Sequence, residues 1–234
     1  MEGEKSESLG KLTIGLLIAA IFIVIFNSVQ ISKINGLEIT GAATENIGSA
    51  TQTVNLASGP NVLPKGVPNI YGKELGISYD DVSASNLQKA EATIKKLALF
   101  DQQLTLTGKD LERYIAVASQ ISCEYCCGAD SIIFPDGQTA CGCAHSFAMR
   151  GLAKYLIKNH GSEYTNDQIL EEIGKWKTLF FPGPITTKAG ILKDKGIELS
   201  YINLASNKYR GAEQGAPTTS GVQAPSNNAQ VGGC

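Results

Sequence analysis

Residues 123 to 145 read CEYCCGADSIIFPDGQTACGCAH and hold five of the chain's six cysteines and one of its two histidines. So many soft side chains in one short stretch restrict the fold around them to a metal cage, a thiol redox centre or a set of disulfides. Within the stretch, Ile132-Ile133-Phe134 runs into the turn signature Pro135-Asp136-Gly137 and then Gln138-Thr139-Ala140. That pattern predicts a small β-hairpin. Folding back at Gly137 brings Cys141 and Cys143 beside Cys123, Cys126 and Cys127, so two cysteine groups become one cluster.

Thiolate sulfur and imidazole nitrogen are the donors that zinc, copper and iron-sulfur centres select. Cys123-x-x-Cys126 lets one turn deliver two sulfurs, and Cys141-x-Cys143-x-His145 completes a four-coordinate site on the general plan of a zinc ribbon. Zinc is the leading expectation, with copper or an iron-sulfur cluster behind it. The candidate ligands are Cys123, Cys126, Cys127, Cys141, Cys143 and His145, which exceed one tetrahedral ion. The excess admits more than one metal, a metal plus one disulfide, or a site completed by Cys234. A flexible 24-residue tail reaches ~25–30 Å, enough to bring Cys234 to the cluster. Covalent haem in its usual form is excluded, because no C-x-x-C-H occurs.

Two other chemistries use the same residues. Cys123 and Cys126 form a thiol-exchange pair in a redox reading, although it is the Cys141 to His145 group that precedes a helix, where a thiol's pKa is lowered. Disulfides that only staple the fold are the third reading. Cysteines so closely spaced close small loops, and the stabilisation from a cross-link grows with loop length.

The segment 12–31, LTIGLLIAAIFIVIFNSVQI, contains no charge and has the ~20 residues needed to span a bilayer. No A-x-A cleavage pattern follows it, which favours an uncleaved anchor over a secretory signal. Lys5 and Lys11 precede the span and Lys33 follows it. This lysine bias places residues 1–11 inside and the rest of a single-pass cell-membrane protein outside, where disulfides persist. A net charge of -2 and the lack of a basic patch give no reason to expect nucleic acid. The expected partners are the membrane and another protein.

Residues 36–69 are rich in Gly, Ala, Thr, Asn, Ser and Pro without helical or strand periodicity, and read as a flexible stalk. A mainly α, Cys-rich domain follows over 71–210, and residues 211–234 read as a disordered tail ending in cysteine. In the domain, a Ser85-x-x-Gln88 capping box opens a helix with Leu87, Ala90, Ile94, Leu97 and Ala98 on one face. A second helix opens at Thr107 and ends as the cysteines arrive. A third runs from about His145 to Asn159. A fourth, capped at Thr165, carries Ile169, Ile173, Trp176 and Phe180 until Pro182 and Pro184 stop it. A short helix is expected near Lys188 to Lys193, and an exposed strand over 197–202. His160 reads as a histidine near a helix C-terminus, where an imidazolium complements the dipole, and Asp80-Asp81 and Glu171-Glu172 read as solvated surface. No phosphate loop, Gly-x-Ser-x-Gly or His-Glu-x-x-His motif is present.

The segments CEYCCG, CGCAHSFAMRGLAKYL and YTNDQILEEIGKWKTLFFPGP resemble a group of uncharacterised membrane-anchored archaeal proteins. That resemblance implies the same architecture and points to the cysteine and histidine block as the site. From about Arg113 to Pro184 the chain is also similar to the thiol protein of cytochrome c maturation. This second likeness implies thiol exchange at Cys123 and Cys126, with Ala148-Met149-Arg150 and Thr165 through Pro182 in similar places. This chain lacks that family's proline inside the pair, inserts the hairpin and three further cysteines, and anchors from the opposite end.

Overall fold

The computed structural model describes residues 59–214 and 230–232. These fall in one compact unit, Val54–Cys234; the other unit, Met1–Thr53, contains the expected span 12–31 and lies outside the described residues. Most of the expected stalk also lies outside them. Its last residues include Val62, Pro64 and Pro68, which are buried. Among the described residues no helix is long and apolar enough to cross a membrane.

The unit is mainly α. Its helices are α1 (Gly72–Leu75), α2 (Leu87–Gln103), α3 (Gly108–Ala118), α4 (Ala144–His160), α5 (Asn166–Phe180), α6 (Pro182–Asp194) and α7 (Tyr201–Ala205). Local capping chemistry fixes several starts. The Thr165 hydroxyl accepts from the Gln168 N–H while Gln168 reaches back to the Thr165 N–H, closing a capping box at α5. At α2 the cap is Asn86, whose side chain accepts from the Lys89 N–H. The cap therefore lies one residue later than the Ser85 box predicts, and Leu87 is left exposed. Ala90, Ile94 and Leu97 are buried as their spacing requires.

Helix α4 is the spine, packed on α2, α3 and α5. The α2–α4 contact is backbone against backbone: a Cβ at Gly151 would collide with the Leu97 carbonyl oxygen. Beside it, Arg150 Nε and Lys154 Nζ each lie 2.7 Å from a carboxylate oxygen of buried Asp101. On the other side, Glu172 Oε2 accepts from the Tyr71 hydroxyl at 2.8 Å and the Tyr79 hydroxyl at 2.5 Å, and Trp176 Nε1 donates to Tyr71. Glu172 is thus a satisfied buried anion rather than a surface residue. Asp81 is also buried and closes the capping box of the 3-10 turn Tyr79–Asp81. Glu171 accepts from the Tyr201 and Ile202 N–H groups at the start of α7.

Two expected β elements are replaced. The chain does reverse at Gly137, with Phe134 N–H donating to Gln138 C=O and Ala140 N–H to Ile132 C=O. However, only an isolated Ile133–Thr139 bridge results, and no strand forms among the described residues. Pro135 has no N–H to extend the ladder. The Ile132 N–H is given to Ile121 C=O, and its carbonyl also accepts from Arg150 Nη1. The strand expected over 197–202 is instead a loop leading into α7, whose start is capped by Ser200 accepting from the Asn203 N–H. Pro182 and Pro184 end α5 and also occupy the first turn of α6, where their missing N–H groups are no loss.

Candidate metal and thiol centre

The cysteines meet where the chain leaving α3 crosses the start of α4. Cys143 is the N-cap of α4, and its Sγ accepts from the Ser146 N–H at 3.3 Å. It takes the place usually held by a serine or aspartate oxygen, in the positive field of a 17-residue helix. Cys123 is fully buried, and its Sγ lies 3.3 Å from that of Cys143. Both are free thiols. The hydrogen bond from Cys123, helped by His145 and Ser146, holds the Cys143 thiol well below its usual range. The same bond and burial push Cys123 the opposite way.

His145 follows two residues later, inside the first turn of α4, and is fully buried. Its ring lies 4.9 Å from those of Phe180 and Phe181. Nε2 is 2.9 Å from the Val231 carbonyl oxygen. A carbonyl can only accept, so Nε2 is the donor in this bond.

The sulfurs of Cys126, Cys127 and Cys141 are oxidised. Cys127 is bonded to Cys141 across 14 positions, and Cys126 is disulfide-bonded as well. Cys234 lies outside the described residues. Two sets of donors approach within 4.8 Å of one another: Cys123, Cys143 and His145, and Cys123, Cys127 and Cys141. Cys123 belongs to both. The Cys/His cluster has the donors and spacing to hold a metal ion, and it carries a disulfide beside that position.

Behind Cys123 lies a buried ionic group that sequence reasoning missed. Glu124 has φ 54°, and the Tyr125 N–H donates to the Cys123 carbonyl across it at 2.5 Å. That is a γ-turn, a strained geometry for a residue with a side chain. The turn aims the Glu124 carboxylate at Lys177 Nζ, 2.9 Å, and Lys188 Nζ, 3.0 Å, with the Gly211 N–H at 2.7 Å. Glu213 lies 3.3 Å from Lys188. Burial alone would raise the Glu124 pKa, but the two ammonium groups outweigh it and bring it down to about 2. Burial lowers Lys177 to about 8 against the pull of Glu124. One signal was legible: Lys177 stands four residues after Ile173, on the apolar face of α5.

Arg150 ties this region to the core. Its Nη1 donates to the carbonyls of Cys141, at 2.8 Å, and Ile132, at 3.1 Å, while Nε holds Asp101. His160 stands apart from the cluster, between Glu163 at 2.7 Å and Glu74 at 3.0 Å. Comparison of the chain with protein-family models, with curated proteins and with solved structures finds no match.

Proposed function

We propose that this protein is a membrane-anchored, extracytoplasmic metal-binding protein whose ion is held by Cys123, Cys143 and His145. Zinc is the favoured ion and copper the next. The donor set carries the reading: two thiol sulfurs and one imidazole, with the imidazole's Nε2–H on a backbone carbonyl. A metal-ligating histidine characteristically gives its other ring N–H to such an acceptor. The 3.3 Å separation of the two sulfurs also leans this way. Two sulfurs on one tetrahedral zinc, with Zn–S near 2.3 Å, stand ~3.8 Å apart. A disulfide needs ~2.05 Å. The pair opens by ~0.5 Å to accept an ion but must close by more than twice that to bond.

Of the excess-donor arrangements, a metal plus a disulfide is the one favoured, with Cys126, Cys127 and Cys141 set aside as oxidised sulfurs. Three protein ligands leave a position for a fourth, the pattern of sites that exchange ligands rather than purely structural ones. Metal handling or electron transfer therefore fits better than a closed staple. An iron-sulfur cluster held by four thiolates would first require reduction of Cys127–Cys141. The test is metal retention by single variants. Cys143→Ser and His145→Asn are expected to lose the ion while Cys127→Ser/Cys141→Ser keeps it; retention by both of the first two would sink the assignment.

A second reading is favoured by the 3.3 Å approach of two free thiols, Cys123 and Cys143. In it the Cys143 thiolate attacks a disulfide in a partner protein, forming a mixed disulfide and releasing the partner's other sulfur as a thiolate. Cys123 then attacks the mixed bond, so the partner gains two electrons and the Cys123–Cys143 pair loses them. This predicts a partner trapped by Cys123→Ser, with no metal required.

A further inference from the structure

Cys123 stands at the junction of two sulfur systems. Its Sγ is 3.3 Å from that of Cys143, and it also lies within 4.8 Å of both sulfurs of the Cys127–Cys141 disulfide. A free thiol held beside a disulfide is the arrangement of thiol–disulfide exchange, in which a thiolate attacks one sulfur and the other leaves. Neither reading above gives the Cys127–Cys141 bond a part in the chemistry.

The surroundings choose the direction of attack. Cys141 is buried and its carbonyl is held by Arg150 Nη1 at 2.8 Å, whereas Cys127 is exposed. Attack on Cys141 therefore joins two buried sulfurs and expels Cys127 into water, where a thiolate is best solvated. Attack on Cys127 would leave that charge on buried Cys141. A buried thiol also needs a proton acceptor, because the thiolate is the nucleophile. Cys143 supplies one: it takes the hydrogen bond from Cys123 and is itself fixed by the Ser146 N–H at 3.3 Å.

We propose that Cys123, Cys127, Cys141 and Cys143 form an exchange relay whose outlet is Cys127. The Cys123 proton passes to Cys143. Cys123 Sγ bonds to Cys141 Sγ as the Cys127–Cys141 bond breaks, and Cys127 leaves with the electron pair as a thiolate. One disulfide replaces another, so this step consumes no oxidant or reductant. The Cys127 thiolate then attacks an external disulfide, forming a mixed disulfide and releasing that molecule's other sulfur as a thiolate. A buried thiol thereby acts on a substrate that meets only the exposed sulfur. One consequence rests on the metal reading: an ion bound to Cys123 occupies the attacking sulfur and halts the relay.

The probe is a pyridyl disulfide carried on polyethylene glycol, an external disulfide too bulky to favour the partly buried Cys143. It is added to the intact chain after treatment with a chelator, the reaction is stopped with acid, and the sulfur bonds are mapped by mass spectrometry. The relay predicts the probe on Cys127 with a Cys123–Cys141 cross-link left behind, a wild-type readout that needs no variant to fold. Cys123→Ser is expected to lose the Cys127 adduct. Cys143→Ala keeps the attacking thiol without its proton acceptor and is expected to slow the adduct on the order of 100-fold. A Cys127–Cys141 bond left intact in the wild type, wherever the probe lands, overturns the proposal, as does a Cys127 adduct formed at the wild-type rate in Cys123→Ser. Added zinc is expected to suppress the adduct; if the wild-type result is unchanged by zinc, the metal reading fails and the relay stands.

Discussion

The Sγ atoms of Cys123 and Cys143 lie 3.3 Å apart although the residues belong to different segments, one leaving α3 and the other capping α4. The two are unlike. Cys123 is fully buried, whereas Cys143 is partly exposed, and the hydrogen bond from Cys123, helped by the Ser146 N–H at the helix start, holds its thiol below the usual range. In metal-free protein, alkylation by a small thiol reagent is therefore expected to reach Cys143 first, by at least tenfold, with Cys123 following only after unfolding. Timed alkylation and peptide mapping read both rates; equal rates would contradict the assigned environments.

Glu124 links backbone strain to charge. It is the anion between two buried lysines, and Glu124→Gln leaves those ammonium groups facing each other without it. The expected cost is about 3–5 kcal/mol in chemical unfolding. The pH dependence has a definite sign. The carboxyl falls from 4.5 to about 2 on folding, so the stabilisation is complete above pH 4.5 and is lost as pH falls toward 2. Denaturation midpoints across that window should drop in the wild type and flatten in Glu124→Gln.

Gly151 permits the α2–α4 approach. Gly151→Ala gains helix propensity of about 1 kcal/mol, yet its methyl meets backbone that cannot rotate aside. A net loss of about 1–3 kcal/mol is expected from overpacking, read as a lowered urea midpoint. A gain in stability would show that α2 and α4 are farther apart.

Arg150 joins Asp101 to two carbonyls of the cysteine loop. A lysine has one ammonium and cannot span the three, so Arg150→Lys is not conservative here. Each carbonyl left unpaired costs about 1–3 kcal/mol. Amide exchange at Ala140 and Ile132 should accelerate more than exchange in α5; a uniform change would argue against a local tether.

Much of this was legible in the chain itself. Apolar spacing gave the long helices, the Thr165 box gave the start of α5, and Pro135-Asp136-Gly137 gave the reversal that gathers the cysteines. What spacing does not encode is which sulfurs pair. That depends on the Cβ geometry set by α4 and the Arg150 tether, so six equivalent candidates separate into bonded cysteines, a free pair and a histidine. Pro182 was ambiguous because a missing N–H suits both the end of one helix and the first turn of the next. Residues 197–202 alternate like a strand, but an edge needs a neighbour, and Glu171 instead takes the Tyr201 and Ile202 N–H groups. Glu124 was hidden because its partners come from two later helices.

The most direct measurement is elemental analysis with X-ray absorption on the intact purified chain, prepared without chelator or reductant. Binding at Cys123, Cys143 and His145 predicts about one equivalent of zinc or copper, with two sulfur ligands near 2.3 Å for zinc and one nitrogen at about 2.0–2.1 Å. Protein that takes up no metal on loading, or that binds it through four sulfurs and no nitrogen, would contradict the assignment.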